Sequence, residues 1–231
     1  MVRFFLFVLT CLGFFFFGFF AVVLYPYFFI TGFRDNDARY IFYLASRYVM
    51  FVIKLGCRSF KPEGKLPAGA GIIAANHSSL LDVLCMSCFG AKDIVLLAKD
   101  WPFKVPVMGS YVKAMGNVRL GDMEDVKRQI KTAFDKGLKV MIFPEGTRSA
   151  DGRVRRFRSG AFMLARELGV PVIPVAIKGL GQSIPKNGVM IRRADIKISI
   201  LAPVMPFEKG GMNALKMAKY VKQLIVDKLE E

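Results

Sequence analysis

One stretch of this 231-residue chain reads Gly71-Ile72-Ile73-Ala74-Ala75-Asn76-His77-Ser78-Ser79-Leu80-Leu81-Asp82. Its first five residues form a short apolar run, which predicts a buried β-strand, and the residues from Ser79 onward predict a helix with Ser79 as its N-cap. His77 therefore falls at a strand end, where α/β proteins place ligands and reactive groups. It is the only histidine in the chain, and imidazole is the side chain best suited to exchanging protons near neutral pH.

The spacing between His77 and Asp82 admits two interpretations. Five residues of continuous helix turn through about 500°, so the side chains meet only if His77 lies in the turn before the helix and Asp82 in its first turn. An aspartate placed there would fix the imidazole tautomer and stabilise the protonated ring. The same residues also fit a capping box between Ser79 and Asp82, with His77 an ordinary loop residue. The spacing is compatible with both.

Strand-like and helix-like segments alternate after about residue 60, which predicts an α/β fold: a mixed, mostly parallel sheet flanked by helices. The strands are expected at residues 71–75, 94–98, 138–143, 170–177 and 196–201. The helices are expected at residues 79–88, 105–114, 123–136, 160–168 and 212–229. Residues 61–67 are interpreted as a polar connection that precedes the first strand.

The chain begins with an apolar segment. Residues 4–33 carry no charged side chain and are rich in phenylalanine. At about 1.5 Å per residue, 22 of them would cross a hydrocarbon core of roughly 30 Å. The segment is too long and too poorly flanked for a cleaved signal peptide, so we expect a membrane-embedded helix. Residues 40–55 are also apolar but carry Arg47 and Lys54, which predicts an interfacial helix rather than a second span.

The predicted organisation is a set of membrane-anchoring helices in residues 1–58 and a globular domain in residues 59–231. The first apolar segment is followed by five basic residues and preceded by Arg3 alone; the five are Arg34, Arg39, Arg47, Lys54 and Arg58. The positive-inside rule then places the domain on the cytoplasmic side of a cytoplasmic or inner membrane. Whether the anchor spans the bilayer or dips into one leaflet stays open.

The net charge indicates the kind of partner, and the cysteines bear on disulfides and metal sites. The chain has 34 Lys and Arg against 18 Asp and Glu, a net charge of +16, which favours anionic partners. The apolar start makes membrane phospholipids or phosphorylated substrates better candidates than nucleic acid. The four cysteines do not resemble a disulfide framework, and the lone Cys85-x-x-Cys88 has no second pair and no nearby histidine, so no metal site is expected.

A second candidate site follows the predicted strand 138–143. It reads Pro144-Glu145-Gly146-Thr147-Arg148-Ser149. Its proline and glycine predict a turn, and Arg148 offers a planar guanidinium suited to phosphate. Four more arginines follow at positions 153, 155, 156 and 158. We interpret most of them as a solvated basic loop, although lipid headgroups or a pantetheine phosphate would give the cluster a task.

Together these blocks resemble the glycerolipid acyltransferase family, whose best-known members act on 1-acylglycerol-3-phosphate (lysophosphatidate). The matching features are the His-x4-Asp block at His77–Asp82 and the block Phe143-Pro144-Glu145-Gly146-Thr147-Arg148-Ser149. Two further matches are Gly160-Ala161-Phe162 and Val170-Pro171-Val172-Ile173-Pro174-Val175. The four blocks occur in the family's order and cover roughly residues 60–205. The resemblance favours a catalytic pair over a capping box alone.

The resemblance implies that His77 acts as general base on the free hydroxyl of a lysophosphatidate-like acceptor while Asp82 holds the imidazole. The oxygen attacks the thioester carbonyl of acyl-CoA or acyl carrier protein, giving phosphatidate for phospholipid biosynthesis. Neither an acyl-enzyme, a metal nor a cofactor beyond the acyl donor is expected.

The family also suggests which residues bind substrate. By this resemblance Glu145, Gly146, Thr147 and Arg148 bind the acceptor, with Arg148 on its phosphate, and Lys99 gives electrostatic support.

One block departs from the family pattern. In Gly116–Asp122 the chain has Asp122 where the family carries an arginine that grips the acceptor phosphate. One alternative is that Arg119, three residues earlier, takes the place of this arginine. The other is that the acceptor is not lysophosphatidate but another lysolipid or hydroxylated lipid. A non-catalytic lipid-binding membrane protein is a further alternative, which the His77–Asp82 pair disfavours. A serine esterase ranks lower, because no G-x-S-x-G elbow surrounds Ser78 or Ser79.

Overall fold

The computed structural model describes residues 8, 11, 30, 35–149, 151–183, 192–206 and 212–231. The predicted membrane segment, residues 4–33, lies almost wholly outside these residues. Within them, no helix combines the length and the apolar character that a membrane crossing requires.

The described residues form one seven-stranded sheet in the order β1-β7-β6-β2-β5-β3-β4. The strands are β1 Ser59–Glu63, β2 Ile72–Ala75, β3 Ile94–Ala98, β4 Val118–Arg119, β5 Lys139–Ile142, β6 Val172–Lys178 and β7 Asp195–Ile200. Every neighbouring pair is parallel except β6 with β7. The predicted mixed, mostly parallel sheet is confirmed.

Helices connect and cover these strands. They are α1 Asp35–Gly56, a 3₁₀ helix Leu80–Phe89, α2 Trp101–Lys104, α3 Met108–Ala114, α4 Met123–Asp135, α5 Gly160–Glu167, α6 Leu180–Ser183 and α7 Ala214–Glu230. Each helix and strand expected after residue 70 corresponds to one of these elements. The helix expected at residues 79–88 has 3₁₀ rather than α geometry, a difference that apolar spacing does not reveal.

The expected polar connection at residues 61–67 is wrong in its first part, because Lys61–Glu63 belong to β1. β1 pairs in parallel with β7 at the edge of the sheet, with Pro62 opposite Ile198. An edge strand tolerates proline since one side of its backbone has no neighbour that needs an N–H donor. The proline and the polar residues hid this strand from pattern analysis.

Apolar side chains pack on both faces of the sheet. In β2, Ile72 and Ala74 join one core cluster while Ile73 and Ala75 join the other, as the alternation of side chains along a strand requires. Because both faces are covered, the strand reads as a continuous apolar run. β2 therefore lies deep in the molecule, and its carboxyl end opens directly into the His77 loop.

Helix α1 belongs to the second of these clusters. Its inner face contributes Val49, Met50, Val52 and Ile53 to the core formed with the 3₁₀ helix and the sheet. Tyr40, Leu44, Phe51 and Leu55 are exposed on its outer face. The segment expected to lie at a membrane interface thus shares a core with strands beyond the expected domain boundary at residue 58, and its contact with a membrane stays a prediction.

Candidate active site

The site begins at the carboxyl end of β2. Asn76 is buried and continues the sheet with its side chain: Nδ2 donates to the carbonyl of Ile177 at 2.9 Å, and Oδ1 accepts from the amide of Ile177 at 2.8 Å. This pairing with β6 fixes the point at which the chain leaves the sheet. The next residue is His77, in the turn before the 3₁₀ helix.

The side chains of His77 and Asp82 are in contact. His77 Nδ1 lies 2.9 Å from Asp82 Oδ2, and the Asp82 side chain is fully buried while that of His77 is 16% exposed. The same Oδ2 accepts the backbone N–H groups of Ser78 at 2.7 Å and Ser79 at 2.8 Å. The capping box between Ser79 and Asp82 is also present. The two interpretations therefore describe one structure, in which a single carboxylate oxygen caps the helix and holds the histidine.

The tautomer of His77 follows from this contact. An ionised carboxylate only accepts hydrogen bonds, so Nδ1 of a neutral His77 carries the proton and donates it to Asp82. The other ring nitrogen, Nε2, then has a lone pair. Because the imidazole is partly exposed, this nitrogen can take a proton from a bound hydroxyl group.

Phe143 supports the imidazole from the neighbouring strand. It directly follows β5, and its ring stacks on that of His77 with centroids 4.1 Å apart and planes inclined by 21°. The stack limits rotation of the imidazole about its side-chain bonds. Phe143 begins the block that ends at Ser149, and no role was predicted for it from the sequence; its position after β5, beside β2, is the signal that was available.

Glu145 clamps the His77 loop rather than facing solvent. It is 5% exposed; its Oε1 accepts the backbone N–H of His77 at 2.9 Å, and its Oε2 accepts that of Arg155 at 3.0 Å. Burial raises the pKa of Glu145, an effect that the two backbone donors only partly offset. Ser149 N–H donates to the carbonyl of His77 at 2.8 Å. Both oxygens of Glu145 bind the protein's own backbone, which differs from the expectation that it binds the acceptor.

The other residues of the Pro144–Ser149 turn make fewer contacts with the protein and can bind a ligand. Gly146 has a φ of 72°, a conformation that glycine adopts without strain. Thr147 is exposed and Arg148 half-buried, and neither side chain forms a hydrogen bond or ion pair with another residue that the structure describes. Lys99 follows β3, is exposed and is similarly unengaged within the described ranges. Since β3 is two strands from β2, Lys99 starts roughly 10 Å to the side of His77.

Arg119 lies farther away. β4 is three strands from β2, roughly 14 Å at ordinary strand spacing. The Arg119 guanidinium pairs with Asp100 and lies 5.9 Å from the centroid of the Phe103 ring. Asp122, the departure from the family pattern, is the N-cap of α4 and accepts the N–H of Glu124 at 3.0 Å. The structure therefore does not bring Arg119 to the His77 site, and it gives Asp122 a local structural task.

Among the described residues, no group of three or more His, Cys, Asp or Glu side chains could hold a metal ion. Cys85 and Cys88 are not bonded to each other, and burial raises the pKa of Cys88 to about 11. They pack as small apolar residues of the 3₁₀ helix.

The sequence model of one family, described as acyltransferase, matches residues 59–178, which is more than half of the chain and contains every site residue above. The chain belongs to the acyltransferase family. This acyltransferase-family protein is 33% identical over 139 residues to the chloroplastic 1-acyl-sn-glycerol-3-phosphate acyltransferase BAT2 of Brassica napus, a match that covers 58% of this chain and 40% of the relative.

Two bacterial proteins resemble more of this acyltransferase-family chain. The 1-acyl-sn-glycerol-3-phosphate acyltransferase of Salmonella typhimurium is 27% identical over 188 residues, covering 79% of this chain and 75% of the relative. The crystal structure of the 1-acyl-sn-glycerophosphate (LPA) acyltransferase PlsC from Thermotoga maritima superposes with a TM-score of 0.71 at 27% identity. That superposition covers 100% of this chain and 97% of the other. By contrast, the chain spans less than half of the first plant relatives that it matches.

Proposed function

We propose that this protein is an O-acyltransferase that moves an acyl chain from a thioester to the free hydroxyl of 1-acylglycerol-3-phosphate, giving phosphatidate for phospholipid biosynthesis. The observation that carries the proposal is the pair formed by partly exposed His77 and fully buried Asp82, joined at 2.9 Å inside the acyltransferase match. The relatives described above are all named as acyltransferases of this acceptor, which supports the choice of acceptor.

The chemistry follows from the geometry of His77. Nε2 removes the proton of the acceptor hydroxyl while its oxygen attacks the thioester carbonyl carbon. The tetrahedral intermediate collapses, the C–S bond breaks, and the imidazolium returns the proton to the leaving sulfur. An ester and a free thiol result. Asp82 stabilises the imidazolium throughout, and its burial strengthens that interaction.

The acceptor phosphate is assigned to Arg148, with Lys99 in a supporting electrostatic role. Both side chains are unengaged within the described part of the chain, and a guanidinium matches the geometry of a phosphate. The net charge of +16 suits a substrate and a membrane surface that are both anionic.

The acyl donor is acyl-CoA or acyl carrier protein, and we expect neither a metal nor a further cofactor. We place the protein at a cytoplasmic or inner membrane, with the catalytic domain on the cytoplasmic side. Membrane phospholipids surround the protein in this proposal, and its product, phosphatidate, is itself a phospholipid.

A second candidate acceptor, another lysolipid or hydroxylated lipid, is favoured by one observation. Arg119, the proposed substitute in block Gly116–Asp122, is paired with Asp100 and lies on a strand three positions from β2. Asp122, at the position of the family arginine, caps a helix. This block therefore contributes little to binding a phosphate. An enzyme without that contribution distinguishes lysophosphatidate less strongly from other lipid acceptors.

The test uses the purified full chain with acyl-CoA and lysophosphatidate, following thiol release and lipid product. We expect phosphatidate from the wild type and, for H77A, a rate lower by roughly 10²- to 10⁴-fold with an unchanged melting curve. Full activity in H77A would exclude this mechanism. In parallel, a panel of lysolipids is compared; a clear preference for a phosphate-free acceptor would replace lysophosphatidate as the substrate.

A further inference from the structure

The arginines that follow the Pro144–Ser149 turn are attached to it by their backbone. Glu145 Oε2 accepts the N–H of Arg155 at 3.0 Å, and the carbonyl of Pro144 accepts the N–H of Arg158 at 2.9 Å. Phe157, between them in this loop, is buried in the core and stacks near Phe162 with ring centroids 6.3 Å apart. The backbone around Arg158 is thus anchored on both sides, unlike that of a free surface loop.

The side chain of Arg158 lies against Gly146. A Cβ built on Gly146 would be 3.1 Å from both Cζ and Nε of Arg158 and 3.4 Å from one terminal nitrogen. These distances are shorter than ordinary contacts between carbon atoms. The missing side chain at position 146 therefore lets the guanidinium lie directly on the turn. A glycine at position 146 therefore serves in two ways: it adopts the positive φ of the turn, and it leaves room for Arg158.

No acidic group within the described residues neutralises this guanidinium. Arg158 is exposed and forms no ion pair or side-chain hydrogen bond with any residue in those ranges. Glu145, on the turn against which Arg158 lies, uses both oxygens for backbone N–H groups. Asp151 accepts from Ser149 Oγ at 2.9 Å and from the N–H of Arg153 at 3.2 Å. An anchored, unneutralised guanidinium is suited to a bidentate anion.

The turn against which Arg158 lies also holds the imidazole. Phe143 stacks on His77 at 4.1 Å, and Glu145 binds the His77 backbone. Arg158 is therefore held in a fixed relation to the reacting nitrogen through a turn that is itself fastened to the His77 loop. A phosphate bound here would orient its molecule relative to Nε2.

We propose that Arg158, which lies against Gly146 of the Pro144–Ser149 turn, binds a phosphate group of one of the two substrates; this inference rests on the proposed function. The shared chemistry is a phosphate, carried either by the lysophosphatidate acceptor or by the nucleotide part of acyl-CoA. A guanidinium fork satisfies two phosphate oxygens at once, which a lysine does not.

Arg156 supplies a matched control. It lies two residues away on the same exposed loop and carries the same charge, but it has none of the contacts to the Pro144–Ser149 turn described for Arg158. General attraction of anionic lipid to a basic loop would involve Arg156 and Arg158 alike, whereas a built phosphate site involves Arg158 alone.

The experiment measures kcat and KM for R158Q, R158K and R156Q, with lysophosphatidate and acyl-CoA varied in turn. We expect R158Q to raise one KM on the order of 10- to 100-fold with little change in kcat or in the other KM. The affected KM identifies which substrate carries the phosphate. R158K should recover part of the loss, and R156Q should stay within about twofold of wild type. Equal effects of R158Q and R156Q, unchanged KM values, or a change confined to kcat would each overturn the proposal.

Equilibrium binding separates this inference from the proposed function. The affinities of lysophosphatidate and of coenzyme A are measured for wild type and R158Q without turnover, with melting curves to show that both are folded. Weaker binding of one ligand to R158Q supports the phosphate contact even if the wild type forms no phosphatidate, in which case the proposed function alone fails. Equal affinities for both ligands overturn the contact even if transfer is observed.

Discussion

Asp82 Oδ2 accepts three hydrogen bonds, from His77 Nδ1 and from the N–H groups of Ser78 and Ser79. The other oxygen, Oδ1, is buried with no hydrogen-bond partner among the described residues. An asparagine fits this environment: its oxygen takes the place of Oδ2, and its NH₂ group takes the place of Oδ1. The local fold should survive this change although the negative charge is lost.

D82N is therefore expected to remain folded while kcat falls by roughly 10²- to 10⁴-fold, because the imidazolium loses its charged partner. Thiol-release kinetics and thermal unfolding check the two parts separately. Ser79→Ala is the matched control, since it keeps the N–H that binds Asp82 and removes only the cap, at a cost of about 1 kcal/mol. A loss of activity in S79A as large as in H77A would contradict this assignment and favour a serine nucleophile.

Glu145 makes stability depend on pH. Its pKa is raised above the ordinary value of 4.5 in the folded protein, so between that value and the raised one the folded state binds more protons than the unfolded state. The free energy of unfolding therefore decreases as pH rises through this window. Urea unfolding at a series of pH values should show the decrease in wild type and not in E145Q.

The E145Q variant also tests the clamp. Its side chain offers only one acceptor oxygen to the two N–H groups of His77 and Arg155, and its NH₂ faces the other donor. We expect a loss of about 1–3 kcal/mol at neutral pH. A variant as stable as wild type, with the same pH dependence, would show that Glu145 does not clamp the two loops.

At the scale of elements, the site depends on how β2 ends. Asn76 replaces a backbone unit by pairing with both the N–H and the carbonyl of Ile177 in β6. N76A leaves these buried groups without partners, which should cost roughly 2 kcal/mol or more. Asp122→Ala, an exposed N-cap on α4, is the control and should cost about 1 kcal/mol. Chemical unfolding of both variants gives the comparison; an effect of N76A no larger than the control would exclude this role for Asn76.

At the scale of the whole molecule, helix α1 belongs to the same folded unit as the sheet. Ile53 is 0% exposed in the core that α1 shares with the sheet, while Phe51 is 57% exposed on the other face. I53A should lower the free energy of unfolding by about 2–5 kcal/mol. F51A should change it by less than about 0.5 kcal/mol.

Thermal and urea unfolding of the full chain measure both variants. If I53A were no more destabilising than F51A, α1 would be an appended anchor, as the boundary at residue 58 implied. The expected difference would instead make α1 an integral part of the fold.

Local sequence patterns predict many of the strands and helices. Apolar runs of strand length, alternating with helical spacing, were enough to predict five of the strands and the flanking helices. The His77–Asp82 contact was one of two arrangements that the five-residue spacing and the capping serine allowed, and the family resemblance favoured it. β1 escaped because an edge strand needs neither apolar alternation nor an N–H at Pro62.

Only the tertiary structure decided the contacts between distant segments. Phe143 on His77, Glu145 between His77 and Arg155, and Arg158 over Gly146 join residues that share no local pattern. The pairing of β2 with β5 and β6 brings these loops together. It also places both oxygens of Glu145, the expected acceptor ligand, on backbone N–H groups, and it leaves Arg119 beside Asp100. The sequence by itself determined which residue types stand at the strand ends, because residue type and short spacing are local; the tertiary structure decided which of them meet, because strand order sets the distances between loops.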